Sequence, residues 1–137
     1  MRMFCLSATD VTTETIWSDM EPLLSRFAAK RGETSPDQIR TGVAQEMLQL
    51  WGLQDSERVR GVVVTELSDT PRGLLCTLRI AASDDSVPRP LQERLLDSIA
   101  EWAREKGCVA MRIVGRKGWL RRFPRFRQTA VVMEWVL

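Results

Sequence analysis

The sequence contains no histidine and no tyrosine. The first absence removes the side chain most often used as a general base near neutral pH, and the second removes a familiar proton donor. Any catalysis has to draw on carboxylates, thiols, hydroxyls or water. Cysteine is scarce: Cys5, Cys76 and Cys108 are isolated, form no C-x-x-C pair, and each lies in an apolar stretch. An odd count at that spacing argues against a disulfide framework or a zinc site, and the three read as small buried hydrophobes. No apolar run approaches the ~18 residues that a membrane span needs. The opening residues 1–9 carry one charge and no cleavage-type site, so they read as a first strand and not as a signal peptide. Repeats, low-complexity tracts and long linkers are also missing, and the expected location is the cytosol or an assembly built there.

What is present is an ordinary globular balance. The 137 residues are 44% apolar and 28% charged, which suits one domain, residues 1–137, with a sizeable core. Charge is unevenly placed. The net charge is +2, yet residues 106–137 hold eight Lys/Arg against the single acid Glu134, so they carry +7 and the preceding stretch −5. That dipolar pattern favours association with an acidic surface, a second copy of the chain included.

Residues 2–7 read as the first strand. Ile16, Met20, Leu23, Leu24 and Phe27 then recur at helical spacing, with Ser18 and Glu21 as a capping pair and Arg31-Gly32 as the stop. Ser35-Pro36-Asp37-Gln38 is the clearest helix start, and Ile39, Val43 and Met47 form one stripe of a helix ending near Glu46. Residues 47–53 alternate as a strand; the rival reading runs the helix on to Trp51 with Gly52 as its stop, and periodicity does not decide. Residues 58–67 and 74–82 are β-branched strands joined by a turn with Asp69, Pro71 and Gly73. An amphipathic helix opens at Pro90, carries Leu91, Leu95, Leu96, Ile99, Trp102 and Ala103 on one face, and stops at Gly107. A buried strand over 108–114, a short helix over 119–123 stopped by Pro124, and a closing strand over 126–137 complete the chain. Trp17, Trp51, Trp102 and Trp135 fall on apolar faces and read as core, whereas Trp119 follows a glycine-rich turn and is expected partly at the surface.

The expected fold is therefore α/β (α+β): a mixed central sheet of about six strands with helices on both faces, in the order β-α-α-β-β-β-α-β-α-β. That order resembles the GNAT (N-acetyltransferase-like) superfamily, best over residues 59–137. Ala103-Arg104-Glu105-Lys106-Gly107 and the ending Pro124-Arg125-Phe126-Arg127 are similar to that family's A-x-x-x-G and G-F-x phrases. The segments around Trp102, Gly115-Arg116-Lys117-Gly118-Trp119 and Phe126-Arg127 look like small GNAT-like proteins encoded by tailed bacteriophages.

The resemblance implies a Q/R-x-x-G-x-G/A loop before the third helix, where backbone N–H groups cradle the coenzyme A pyrophosphate. The matching residues are Ala82, Ser83, Asp84, Asp85, Ser86, Val87, Pro88, Arg89 and Pro90. They include no glycine, two prolines that lack an N–H, and two aspartates of the wrong sign, with Arg89 as partial compensation. No cofactor is expected on this reading. The resemblance also implies a Glu base on a central strand and a Tyr acid. Glu66 is the one candidate base on a strand, and Cys76 or Ser83 stand as substitutes for the absent Tyr.

Arg112, Arg116, Lys117, Arg121, Arg122, Arg125 and Arg127 cluster with Trp119, Phe123 and Phe126. Such a cluster is either a solvated positive face over core aromatics or a docking surface for acidic protein or nucleic acid. Arg116, Lys117, Trp119, Arg121, Arg122, Arg125 and Arg127 are the candidate partner-binding residues. The leading expectation is a non-catalytic structural or assembly component of a tailed-phage virion, located in the virion or in the host cytoplasm during assembly. Its partners would be other virion proteins or copies of itself, with no membrane contact. One alternative is an acetyl-CoA-dependent N-acyltransferase with Glu66 or a water as base; another is a nucleic-acid-binding accessory protein.

Overall fold

A computed structural model of the chain describes residues 2–6, 14–28, 34–84, 86–115 and 118–137. Five strands form one sheet in the order β1-β2-β3-β4-β5. They are β1 (Arg2–Leu6), β2 (Gln49–Gln54), β3 (Val59–Thr70), β4 (Gly73–Ser83) and β5 (Cys108–Ile113). The helices are α1 (Glu14–Ala28), α2 (Pro36–Ala44), α3 (Arg89–Glu105) and the short α4 (Gly118–Arg122). Neighbours from β1 to β4 are antiparallel and β4–β5 is parallel, so the sheet is mixed.

Local chemistry explains most boundaries. At the start of α2, Ser35 Oγ accepts from the Gln38 amide at 3.2 Å while Gln38 Oε1 accepts from the Ser35 amide at 3.1 Å, a reciprocal cap. Its end settles the open choice over residues 47–53. Glu46 adopts a left-handed φ of 61°, and the amides of Met47 and Leu48 both fold back to the Gly42 carbonyl. Leu48 lies so close over Gly42 that a Cβ there would stand 2.6 Å from Leu48 Cδ1, so a larger residue would force the Leu48 side chain to shift. The chain leaves as β2, with Leu50 on one face of the sheet and Trp51 and Leu53 on the other.

Those two faces carry separate cores. Trp17, Met20 and Leu24 of α1 and Ile39 and Val43 of α2 cover Leu50, Val62, Val64 and Ile80. On the opposite face Leu95, Leu96, Ile99 and Ala103 of α3 cover Trp51, Leu53, Val63, Cys76 and Leu78, with Phe123 beyond α4. Trp51 and Trp102 meet edge to face at 5.2 Å, and Thr65, the one buried polar residue among those described, accepts from Trp51 Nε1 at 3.1 Å.

Three expectations are corrected. The closing strand over 126–137 is not formed: these residues have no regular structure, so the sheet has five strands and the order ends on a helix. Trp135 is accordingly 87% exposed and not core, because a strand without a ladder has no face to bury. Ser18 is not at the start of α1, which begins at Glu14 and has Ser18 one turn inside it. The side chains of Ile16 and Phe27 and the stop at Arg31-Gly32 lie outside the described residues. No helix among the described residues is long and apolar enough to cross a membrane.

Candidate functional site

The parallel pair β4–β5 runs from Leu74 opposite Cys108 to Leu78 opposite Ile113, and there it ends. β4 continues through residues 79–83 beside β3 alone. At the point of parting β4 has a bulge: Val64 pairs with Ile80 and Thr65 with Leu78, leaving Arg79 as the extra residue. A bulge bends and twists its strand, which turns the end of β4 away from the line of β5. The gap beyond the carboxyl ends of two parallel strands is where open sheets of this kind hold ligands.

The gap is a cleft of about 380 Å³ between the sheet, α3 and α4. Its floor is apolar, from Leu53, Val63, Ala81, Leu95, Leu96 and Phe123, and its polar groups are few: Ser83, Gln92 and Arg122. Gln92 Nε2 donates to Ser83 Oγ at 2.8 Å, which fixes Ser83 and leaves the hydroxyl its own proton to donate. Trp119 closes one wall, its ring tilted against Phe123 at 5.0 Å and edge-on at 6.3 Å to Phe126. An apolar cavity with a few fixed polar groups has the make-up of a small-molecule site.

The loop between β4 and α3 sets the mouth. The Asp84 amide donates to the Arg60 carbonyl at 2.8 Å, the Val87 amide to the Asp84 carbonyl at 3.3 Å, and the Ser86 amide to Asp84 Oδ1 at 2.9 Å. Pro88 and Pro90 have no N–H, so among the described loop residues only Arg89 has an amide left to offer an anion. The described loop residues therefore do not build a diphosphate cradle of backbone amides. The Asp84 carboxylate does not face a phosphate site either: Ser86 holds it, and Arg60 at 3.4 Å and Arg58 at 3.7 Å offset its charge. The Ser86 hydrogen bonds and Arg60 lower its pKa. Arg89 bonds the Arg122 carbonyl and pairs with Glu93 at 3.3 Å, which places two guanidinium-bearing residues together at the mouth. Asp85 lies outside the described residues.

The other sequence candidates are elsewhere. Thr65 faces Trp51, so its neighbour Glu66 points to the α1–α2 side, where its carboxylate pairs with Arg79; it does not line the cleft. Cys76 is fully buried, and burial pushes its thiol up to about 11, so it is a packed core group and no nucleophile. In the basic cluster, Arg125 pairs with Asp97 on α3, Arg122 lies 5.9 Å over the Phe123 ring, and Arg121 and Arg127 are exposed. Arg116 and Lys117 lie outside the described residues. Sequence reading missed Gln92 and the cleft-lining role of Trp119; one helix turn separates Gln92 from Arg89, but only the fold turns it toward Ser83.

No family model matches the chain, and no curated protein matches it. Solved structures do. A probable acetyltransferase superposes with a TM-score of 0.75 over 100% of this chain and 97% of its own, at 16% identity. An aminoglycoside acetyltransferase from an uncultured soil metagenomic sample, in complex with sisomicin, gives 0.75 over 99% and 95%, at 11% identity. A predicted acetyltransferase with acetyl-CoA from Clostridium acetobutylicum gives 0.70 over 98% and 95%, at 13% identity. At such identities it is the fold that is shared: a single α+β domain of the GNAT type. The expectation of a non-catalytic virion component is overturned, because the whole-chain likeness is to acetyltransferases and nothing found points to a phage origin.

Proposed function

We propose that the chain is an N-acyltransferase that takes an acyl group from acetyl-CoA and delivers it to an amine. The observation that carries this reading is the cleft itself, an apolar slot rimmed by Ser83, Gln92 and Arg122 that opens where β4 and β5 part. The fold shared with acetyltransferases, one of them with acetyl-CoA, supports it.

The chain suits one part of the cofactor better than another. Residues 79–83 of β4 have no β5 beside them, so the backbone groups on that edge suit the amides of a pantetheine arm lying alongside as an added strand. The described loop residues do not suit the diphosphate in the usual way, for apart from Arg89 their amides are bonded within the chain or absent. Arg89 and Arg122, joined at the mouth, are the groups that replace them, since a guanidinium binds phosphate oxygens by charge-assisted hydrogen bonds. When bound, acetyl-CoA supplies an acyl group activated as a thioester.

The remaining chemistry falls to the cleft. Ser83, fixed by Gln92, donates a hydrogen bond into it and stabilises negative charge developing on a carbonyl oxygen. Among the described residues the cleft lining includes no carboxylate, imidazole or thiol, so the acceptor amine gives its proton to water. Apolar walls favour the neutral amine, because burial penalises the ammonium form. Isothermal titration with acetyl-CoA, followed by thiol release in the presence of primary amines, tests this. Micromolar binding and amine-dependent release are expected; absence of heat and of any thermal shift overturns it.

A further inference from the structure

The sheet has two edge strands, β1 and β5. β5 pairs with β4 on one side, and among the described residues nothing pairs with it on the other. Val109 on β5 is 58% exposed and Val114 just beyond it 49%. Alongside, α3 and the turn after α4 bound a groove of about 370 Å³ whose walls include Leu96, Ala103, Met111, Phe123 and Phe126. An exposed strand edge with unpaired amides and carbonyls is a template for another strand.

The chain also carries a strand-like segment with nothing to pair with. Residues 127–137 have no regular structure, and Val131, Val132, Met133, Trp135, Val136 and Leu137 are 63–109% exposed. The segment has neither glycine nor proline and is rich in the β-branched and aromatic residues that favour strands. An apolar patch of this size in water marks an interaction site.

We infer that residues 128–137 of one copy add to the β5 edge of a second copy as an antiparallel strand, and that the exchange is mutual. The root of the segment is pinned to the α3 side of its own sheet. Arg125 pairs with Asp97, the Phe126 amide donates to the Phe123 carbonyl at 3.1 Å, and the Phe126 ring sits against Trp119. From that root the segment runs out into solvent and leaves its own β5 edge bare. Charge selects the register. Arg112 on β5 is exposed, Glu134 is the one acid after Glu105, and neither has an ion-pair partner among the described residues. Setting Arg112 opposite Glu134 sets Ile113 opposite Met133 and Met111 opposite Trp135. Residues directly opposite share a face of the sheet, and Ile113 and Met111 face the α3 core, so Met133 and Trp135 enter the groove. Each copy offers one donor strand and one acceptor edge, and a two-fold axis closes both pairs.

This inference is independent of the acyl-transfer reading. It is tested by light scattering of the 137-residue chain over a range of concentrations, which should give the mass of a dimer. Trp135→Lys should give a monomer with an unchanged circular dichroism spectrum, since that side chain is 87% exposed in the single chain. Arg112→Glu and Glu134→Arg should each weaken dimerisation about tenfold or more, and the double reversal should restore it. A wild-type monomer overturns the inference, including one in which residues 128–137 are protected from hydrogen exchange by their own β5. So does a Trp135→Lys variant that stays dimeric, or a double reversal no better than the single changes.

Discussion

Arg60 on β3 reaches Asp84 at the end of β4, with Nη1 3.4 Å from Oδ2, while its Nε holds Asp55 in the β2–β3 turn at 2.6 Å. One guanidinium thus ties the turn to the loop that leads into α3, at the mouth of the cleft. Glu57 joins the same guanidinium at 3.3 Å. The loop is positioned by side-chain charge, where a glycine-rich loop would use its own amides.

Acid should release this tie. The amides of Arg58 and Glu57, and then Arg60, hold the Asp55 carboxyl at about 2, below its ordinary 3.8. A carboxyl lowered on folding contributes stability that is complete above its unfolded value and is lost as pH falls through its folded one. Urea midpoints should therefore be level above about pH 4.5 and fall between about pH 4 and 2. Asp55→Asn should flatten much of that fall; an unchanged slope would show that the tie does not matter.

Thr65→Val should be costly despite its close match in shape. Thr65 is fully buried, and its Oγ1 accepts from Trp51 Nε1 and donates to Gln49 Oε1 at 2.8 Å. Losing the hydroxyl leaves the Trp51 N–H unpaired, at about 1–3 kcal/mol. Chemical denaturation measures the loss, and a change below about 0.5 kcal/mol would mean that a water takes the place of the hydroxyl.

Gly73→Ala combines two penalties. The residue has a φ of +122°, which side chains rarely adopt, and an added Cβ would stand 2.9 Å from Val109 Cγ1. Destabilisation of more than about 1 kcal/mol is expected. Adding Val109→Ala should recover the steric share and leave the backbone share, which equilibrium unfolding of the two variants separates.

For the cleft, Arg89→Ala with Arg122→Ala should weaken acetyl-CoA binding about tenfold or more and leave a pantetheine fragment without phosphates unaffected. Ser83→Ala should lower kcat by about tenfold to a hundredfold. Glu66→Gln should leave kcat/KM within about twofold, because that carboxylate faces the other side of the sheet. With no titratable base among the described lining residues, kcat/KM should rise with pH along the acceptor's own ionisation. A bell-shaped profile unrelated to the amine would point to a base that the cleft does not contain.

Much of the fold was legible in the residues themselves. The Ser35–Gln38 cap, the stripe from Leu91 to Ala103 and the β-branched run around Val62–Val64 are local signals, and each stands where the structure puts it. The cleft was not legible. Its residues come from β2, β3, β4, α3 and α4, and neither the bulge at Arg79 nor the turn of Gln92 toward Ser83 follows from spacing. Asp84 shows why. In the sequence it is a negative charge in a phosphate loop; in the fold Arg58 and Arg60, which are 26 and 24 positions away, take up that charge.

The sequence alone determined which segments are helices and strands, with residues 47–53 and the closing segment excepted, because periodicity, caps and β-branching act within a few residues. It also determined that no histidine or tyrosine serves any site. Tertiary structure decided where β4 parts from β5, which charges neutralise one another, and that residues 126–137 stand off the sheet as Trp135 lies open to water. Those outcomes rest on contacts between residues far apart in the chain, whose energies depend on distance and burial that no local pattern carries.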